Sequence, residues 1–301
     1  MSVPASPDGV RSERADYGVV LPVAGMANLA EAYDGFILDQ WGVLHDGARP
    51  YAGAAACLER LRARGKRVVV LSNSGKREDY NLELMRRMGF ERALFDRFVS
   101  AGKDARHAIA ARNNCFHRSL GMRCFAFTRD GDRSVLESIG LDLVERVEDA
   151  EFLAVLGSDS PQRLLADYEA ELRRGIVGGL PMICANADVR RFAAGGMIEG
   201  PGVLARRYEA LGGAVFYHGK PHPAIYASCL EALGCACGRV LAVGDSIDHD
   251  ILGAHRVGIR SALMTGGVHA SALGVTWGKL PGASNSHFKT CNRSVVDFPS
   301  G

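Results

Sequence analysis

The stretch FILDQWGVLHDG, residues 36–47, is an apolar strand that runs into an aspartate, Asp39, and then into a glycine turn. A carboxylate at a strand tip faces the crevice where open α/β sheets bind their ligands. Two positions on, inside the same turn, stands Trp41. The strand sets the fold class, and the tryptophan raises the question of the chemistry.

Outward from this strand, apolar runs alternate with helical patterns. AGAAACLERLRARG (52–65) places Ala54, Cys57 or Leu58, and Leu61 on one helical face and ends on Gly65. RVVVL (67–71) is a continuous β-branched run, as expected of a parallel strand covered on both faces. SNSG follows, then a helix from about residue 78 to 88. FVSAG (98–102) and a helix to Arg112 close this third of the chain.

The alternation continues with RCFAF (123–127), a helix near 132–139, FLAVL (152–156), a helix near 162–173 and MICA (182–185). The glycine-rich GGMIEGPG (195–202) interrupts it. After a helix near 202–211, VFY (215–217) leads into HGKPHP, and a helix covers 222–233. RVLAV (239–243) leads into GDSIDHD, and IRSALM (259–264) closes the set. Strands that alternate with helices throughout predict an α/β fold with parallel sheets. The core is expected at 30–112 and 201–280, a Rossmann-like parallel sheet, with an inserted α/β cap domain at 113–200. Residues 1–29 are expected to form a tail and lead-in. The pattern-poor residues 281–301 are expected to be a loose tail.

Composition narrows the function classes. The chain has 301 residues, 47% of them hydrophobic, and a formal net charge of +2. So even a balance gives no footprint for nucleic acid or an anionic membrane. No apolar run reaches spanning length, and the polar start MSVPASPDGVRSERADYG lacks the apolar centre of a signal peptide. Several of the eight cysteines sit inside apolar segments, and Cys235 and Cys237 lack zinc-type spacing. All eight read as reduced, which points to a cytoplasmic setting.

Four polar clusters fall at strand ends: Asp39, Ser72-Asn73-Ser74, Lys220 and Asp245. One sheet can gather them. A carboxylate is a competent nucleophile toward phosphorus. Asp39 with Asp245 and Asp250 makes a hard oxygen site suited to Mg²⁺. Lys220 supplies a point charge, and Ser72 with the following amides can hold a phosphoryl group. Together these parts describe metal-assisted phosphoryl transfer.

In chain order the clusters resemble the haloacid dehalogenase-like hydrolase superfamily. DQWGVLHDG (39–47) is similar to its first motif and VVVLSNSGKR (68–77) to its second. GKPHPAIY (219–226) resembles the lysine motif of the class IIA (NagD-like) phosphatases, which carry a large α/β cap. VGDSIDHDILGA (243–254) resembles the acidic fourth motif, and ICANADVRRF (183–192) a cap segment of that subgroup. The resemblance spans about residues 30–270. It implies that Asp39 forms an aspartyl-phosphate, and that Asp39, the backbone carbonyl of Trp41 and Asp245 hold Mg²⁺ with Asp250 behind them. It further implies that Ser72, Asn73 and Ser74 bind the phosphoryl group, that Lys220 pairs with Asp39, and that Asn186 and Asp188 face the leaving group. Self-association through the cap is implied as well. The substrate expected is a small phosphorylated metabolite.

Trp41 departs from that pattern. The superfamily's phosphatases carry an aspartate there, which protonates the leaving group and then activates water. An indole N–H can do neither. His45 and Asp46 lie in the same loop, and His45 is one conceivable substitute. His218, His222 and His249 read as spacers or lining. The other readings are a slow or inactive phosphometabolite-binding protein, because of Trp41, and a dehalogenase, disfavoured by the paired acids Asp245 and Asp250. A dinucleotide site lacks its glycine fingerprint after FILD.

Overall fold

A computed structural model describes residues 22–23, 25–193, 196–270 and 294–296. Fourteen strands are placed among them: β1 (Pro22–Val23), β2 (Gly35–Asp39), β3 (Arg67–Ser72), β4 (Arg97–Ser100), β5 (Arg123–Phe127), β6 (Asp142–Val144), β7 (Phe152–Val155), β8 (Met182–Cys184), β9 (Arg190–Ala193), β10 (Gly196–Glu199), β11 (Val215–Tyr217), β12 (Val240–Gly244), β13 (Arg260–Met264) and β14 (Ser294–Val296). They form a seven-stranded parallel sheet in the order β1-β14-β13-β12-β2-β3-β4. A second parallel sheet has the order β11-β8-β7-β5-β6, and β9 and β10 make an antiparallel hairpin. The expected α/β fold, a Rossmann-like parallel core with a second α/β unit, is present.

The apolar runs explain the core sheet. Alternate residues point to opposite faces, so Phe36, Leu38, Val68 and Val70 pack with Leu58, Leu61 and Met85 on one side. Ile37, Val69 and Leu71 pack with Ile225, Tyr226 and Leu233 on the other. Helices Ala54–Ala63 and Glu78–Arg87 cover the first face and helix Pro223–Leu233 the second. Burying each such side chain contributes about 1.5–3 kcal/mol, which is why these strands need no polar alternation.

Register then gathers the site. Leu38 lies opposite Val243 and Asp39 opposite Leu71. Asp39 therefore ends level with Gly244, one residue short of Asp245, and one short of Ser72 on its other side. All three functional positions share the carboxyl edge of β12-β2-β3.

The second sheet corrects the expected boundaries. Its edge strand is β11, which pairs with β8, and helix Gly202–Ala210 buries Leu204 and Tyr208 against Leu172 of helix Leu165–Val177. The inserted unit thus runs to residue 217, not to 200. The helix expected near 132–139 is one 3₁₀ turn, Ser134–Leu136, hemmed by positive φ at Gly131, Ser138 and Gly140. The glycine-rich interruption contains strand β10 of the β9–β10 hairpin and leads into helix Gly202–Ala210. Of the expected loose tail, Ser294–Val296 pairs in parallel with β13, and the remainder lies outside the described residues. No helix among the described residues is long and apolar enough to cross a membrane, and the seven described cysteines are free of disulfides.

Candidate active site

All ten residues singled out for the site, Asp39, Trp41, Ser72, Asn73, Ser74, Asn186, Asp188, Lys220, Asp245 and Asp250, line one cavity of about 190 Å³. At its floor Lys220 Nζ lies 2.7 Å from Asp39 Oδ1 and 2.8 Å from Asp250 Oδ1. The lysine is 2% exposed, so its charge is held by these two carboxylates rather than by water. Asp39 Oδ1 also accepts the Gln40 amide at 2.7 Å. Its Oδ2 has no hydrogen-bond partner among the described residues and is the oxygen left for a ligand.

Asp39, Asp245 and Asp250 bring one carboxylate oxygen each within 4.8 Å of one another. Asp245 Oδ2 accepts the Val268 amide at 2.8 Å, and Asp250 Oδ2 accepts the Ser246 amide at 3.1 Å. A π-type turn, Ile247–Ile251, brings Asp250 back onto Lys220. Space here is tight enough to require glycine. Gly42 has φ +76°, and a Cβ on it would sit 1.8 Å from Asp245 Oδ2.

The electrostatics follow from three acids and one base. Burial, then the charge of Asp250, pushes the Asp39 carboxyl up to about 7 despite Lys220. Burial and the charges of Asp39 and Asp250 hold Asp245 well above the usual carboxylate range. Burial opposes the charge on Lys220, but Asp250 and Asp39 outweigh it and keep the ammonium protonated. Three ionised carboxylates against one lysine leave an excess of two negative charges in a dry site. A hard divalent cation with oxygen ligands matches that excess and that donor set.

Comparison with known proteins agrees with this geometry. Residues 36–142 match the family model described as haloacid dehalogenase-like hydrolase, and residues 217–281 match the one described as HAD-hydrolase-like. A structure of a haloacid dehalogenase-like hydrolase from Brucella suis superposes with a TM-score of 0.78 at 28% identity, over 91% of this chain and 98% of that one. The chain belongs to the haloacid dehalogenase-like hydrolases. It is 27% identical to a D-glycerol 3-phosphate phosphatase of Mycobacterium tuberculosis over 82% of this chain and 67% of that one. It is 29% identical to chronophin of Mus musculus over 86% and 87%.

Against this superfamily, several side chains take duties that the sequence does not announce. The Asn73 carboxamide is not free for a phosphoryl group. It accepts the Lys220 amide at 2.7 Å and donates to the Lys220 carbonyl at 3.2 Å and to Asp188 Oδ1 at 2.8 Å. It thereby fixes the lysine loop and ties the cap to the core. Asp188, expected to face a leaving group, is engaged in that tie and also lies 3.6 Å from His249 Nδ1. Asn186 Oδ1 accepts the Asp188 amide at 3.2 Å. Ser72 Oγ accepts the Ser74 amide at 3.2 Å, which shapes the loop and leaves the hydroxyl proton available.

The histidines separate by position. His45 is fully buried and does not line the cavity; its ring meets Trp41 edge-on at 5.2 Å. Its Nδ1 accepts the Gly47 amide at 3.0 Å, and burial pulls the imidazole down to about 4. Trp41 stands between it and the site, so His45 is no substitute proton donor, and Asp46 caps its own turn through the Ala48 and Arg49 amides. His218 bonds Asp104 at 2.6 Å and His117 at 3.0 Å, behind the site. His222 stacks on Tyr217. His249 and His269 do line the cavity; His269 Nε2 accepts the Ile247 amide at 3.2 Å. Sequence reasoning missed His269, Arg129, Ser158, Arg190 and Arg191. Two of these could have been found by extending the strand-end rule to the cap, since Arg129 and Ser158 closely follow β5 and β7.

Proposed function

We propose that this chain is a Mg²⁺-dependent phosphomonoesterase acting on a small phosphorylated metabolite, with Asp39 as nucleophile. The observation that carries the reading is the buried Asp39–Lys220–Asp250 cluster beside Asp245, open to the cavity through Asp39 Oδ2. The phosphatase relatives support the same reaction class. Asp39 attacks phosphorus, the ester P–O bond breaks, and water then cleaves the acyl phosphate to return the carboxylate and release phosphate. Lys220 screens the approach of an anionic substrate to an anionic nucleophile, and Ser72 with the adjacent amides orients the phosphoryl oxygens. Asp39, Asp245 and the Trp41 carbonyl would hold Mg²⁺, with Asp250 behind them. The ion supplies positive charge against the carboxylates and the phosphoryl oxygens.

Release of phosphate from 4-nitrophenyl phosphate in Mg²⁺ and in chelator tests this reading. Chelation is expected to lower the rate at least ~10²-fold, with recovery on adding metal back. The activated leaving group needs little protonation, so the assay isolates the nucleophile from the missing acid. Trp41 supports a second reading, a protein that binds phosphomonoesters in Mg²⁺ without turning them over. Binding by calorimetry with no turnover of even this activated ester would establish that reading instead.

Metal binding has a stability signature as well. The folded-state value of Asp39, about 7, lies above its ordinary 3.8, so the folded protein holds a proton that the unfolded chain releases. Metal-free stability therefore falls as pH rises from about 4 through 7. Mg²⁺ replaces that proton. The increase in Tm on adding saturating Mg²⁺ is expected to be on the order of 5 °C at pH 8 and much smaller at pH 5. An equal shift at both values, read by differential scanning calorimetry, would remove these carboxylates as the metal ligands.

A further inference from the structure

The cavity has a second polar end that phosphoryl transfer does not use. Three strands of the cap sheet, β5, β7 and β8, point their carboxyl ends into it and deliver Arg129, Ser158 and the segment bearing Arg191. That is the edge at which parallel sheets bind ligands. The loops are built to converge. A Cβ on Gly157 would lie 2.9 Å from the Arg129 amide nitrogen, and one on Gly75 would lie 2.1 Å from the Leu156 carbonyl oxygen. Glycine at both positions lets the loop after β7 press against Arg129 and against the core.

The groups at this end are under-matched by the protein itself. Ser158 is 4% exposed, and its hydroxyl has no hydrogen-bond partner among the described residues. Arg191 is half-buried and oriented by one bond, 2.5 Å, to the Ser160 carbonyl. No carboxylate among the described residues pairs with Arg191. The carboxylate nearest Arg129, Asp130, is 3.7 Å away and largely solvated. Burial and the neighbouring Arg129 charge pull the Arg191 guanidinium down, and the solvated Asp130 carboxylate offsets this only in part. Two neighbouring charges are committed elsewhere: Lys76 to Asp132 at 2.8 Å, and Asp188 to Asn73. A buried hydroxyl without a partner and a half-buried guanidinium held by a single carbonyl are costly to leave unmatched, and an anion matches both, with the Arg129 charge beside them.

We propose that Arg129, Arg191 and Ser158 form a second anion subsite, which selects phosphomonoesters whose alcohol portion itself carries an anionic group, a carboxylate or a second phosphate. The inference rests on the phosphatase reading of the cavity and names its substrate class. It sets this chain apart from a relative named for glycerol 3-phosphate, whose alcohol portion is neutral.

The test uses the full-length protein carrying Asp39→Asn, which binds without hydrolysis, in Mg²⁺. It is titrated calorimetrically with 3-phosphoglycerate, glycerol 3-phosphate and 2,3-bisphosphoglycerate. The first two differ only in carboxylate against hydroxymethyl, and the third reports the second-phosphate source. At least one of the two acidic ligands is expected to bind about 10-fold or more tightly than glycerol 3-phosphate. Adding Arg191→Gln and Arg129→Gln is expected to bring that ratio below about 2 while glycerol 3-phosphate binding holds within about 2-fold, and Arg191→Lys is expected to keep part of the preference. No preference for either acidic ligand, or a preference that survives both glutamine substitutions, overturns the subsite. Wild-type turnover of 4-nitrophenyl phosphate is measured alongside. Turnover without acid preference defeats this inference alone, and acid preference without turnover defeats the phosphatase reading alone.

Discussion

Asp39→Asn is expected to remove phosphate release from 4-nitrophenyl phosphate by at least ~10³-fold, while the protein stays folded and gains thermal stability in metal-free buffer at pH 8. The rate loss follows from chemistry: a carboxamide cannot form an acyl phosphate. The stability gain follows from geometry. Asp39 is one of three buried carboxylates, and its ionisation is opposed by burial and by Asp250. The substitution lowers the excess negative charge of the cluster from two to one. Lys220 keeps Asp250 at 2.8 Å, and the asparagine oxygen still accepts the Gln40 amide. Opposite movements of activity and Tm distinguish a lost nucleophile from a damaged fold. Activity within a few-fold of wild type would falsify Asp39 as the nucleophile. A fall in metal-free Tm would show instead that the Lys220–Asp39 pair outweighs carboxylate repulsion.

The core was legible because its strands are buried on both faces. After their opening arginines RVVVL and RVLAV carry no polar residue to blur the pattern, and the polar residues that end each run mark the sheet edge. Asp39, Ser72, Lys220 and Asp245 are therefore readable as one constellation from the sequence. The cap boundary was harder. Val215–Tyr217 is three half-buried residues, a run that fits the edge of either sheet. Arg129 and Ser158 went unread for a different reason: the strand-end rule that reveals the core cluster applies to the cap strands as well, but their polar ends, TRDGDR and GSDS, match no motif. The duties of Asn73 and Asp188 depend on a bond between residues 115 apart in sequence. His45 shows the reverse error. A histidine in a glycine-flanked loop reads as accessible, but Trp41 folds over it and Gly47 leaves room for the indole, with a Cβ there only 2.0 Å from the ring.

Trp41→Asp is expected to raise turnover of an alkyl phosphate such as 3-phosphoglycerate by ~10²-fold or more, and to change 4-nitrophenyl phosphate turnover less than about 3-fold. General acid–base help is worth ~10²–10⁴-fold, and nearly all of it falls on substrates whose leaving oxygen must be protonated. Trp41 lines the cavity two residues beyond the nucleophile. His45 behind it is buried and held neutral near pH 7, so the native loop offers no proton donor there. An aspartate at 41 restores a titrating group at that place without touching Asp39, Lys220, Asp245 or Asp250. Trp41→Asn is the control, since it removes the same indole packing against His45 and Gly47 but adds no acid. A rise with aspartate alone, confined to the alkyl ester, would show a site complete except for its proton donor. An equal rise with asparagine would mean that the indole merely obstructs the cavity. No rise with either would mean that the native enzyme already draws its proton from elsewhere on the cavity wall, where His249 and His269 stand.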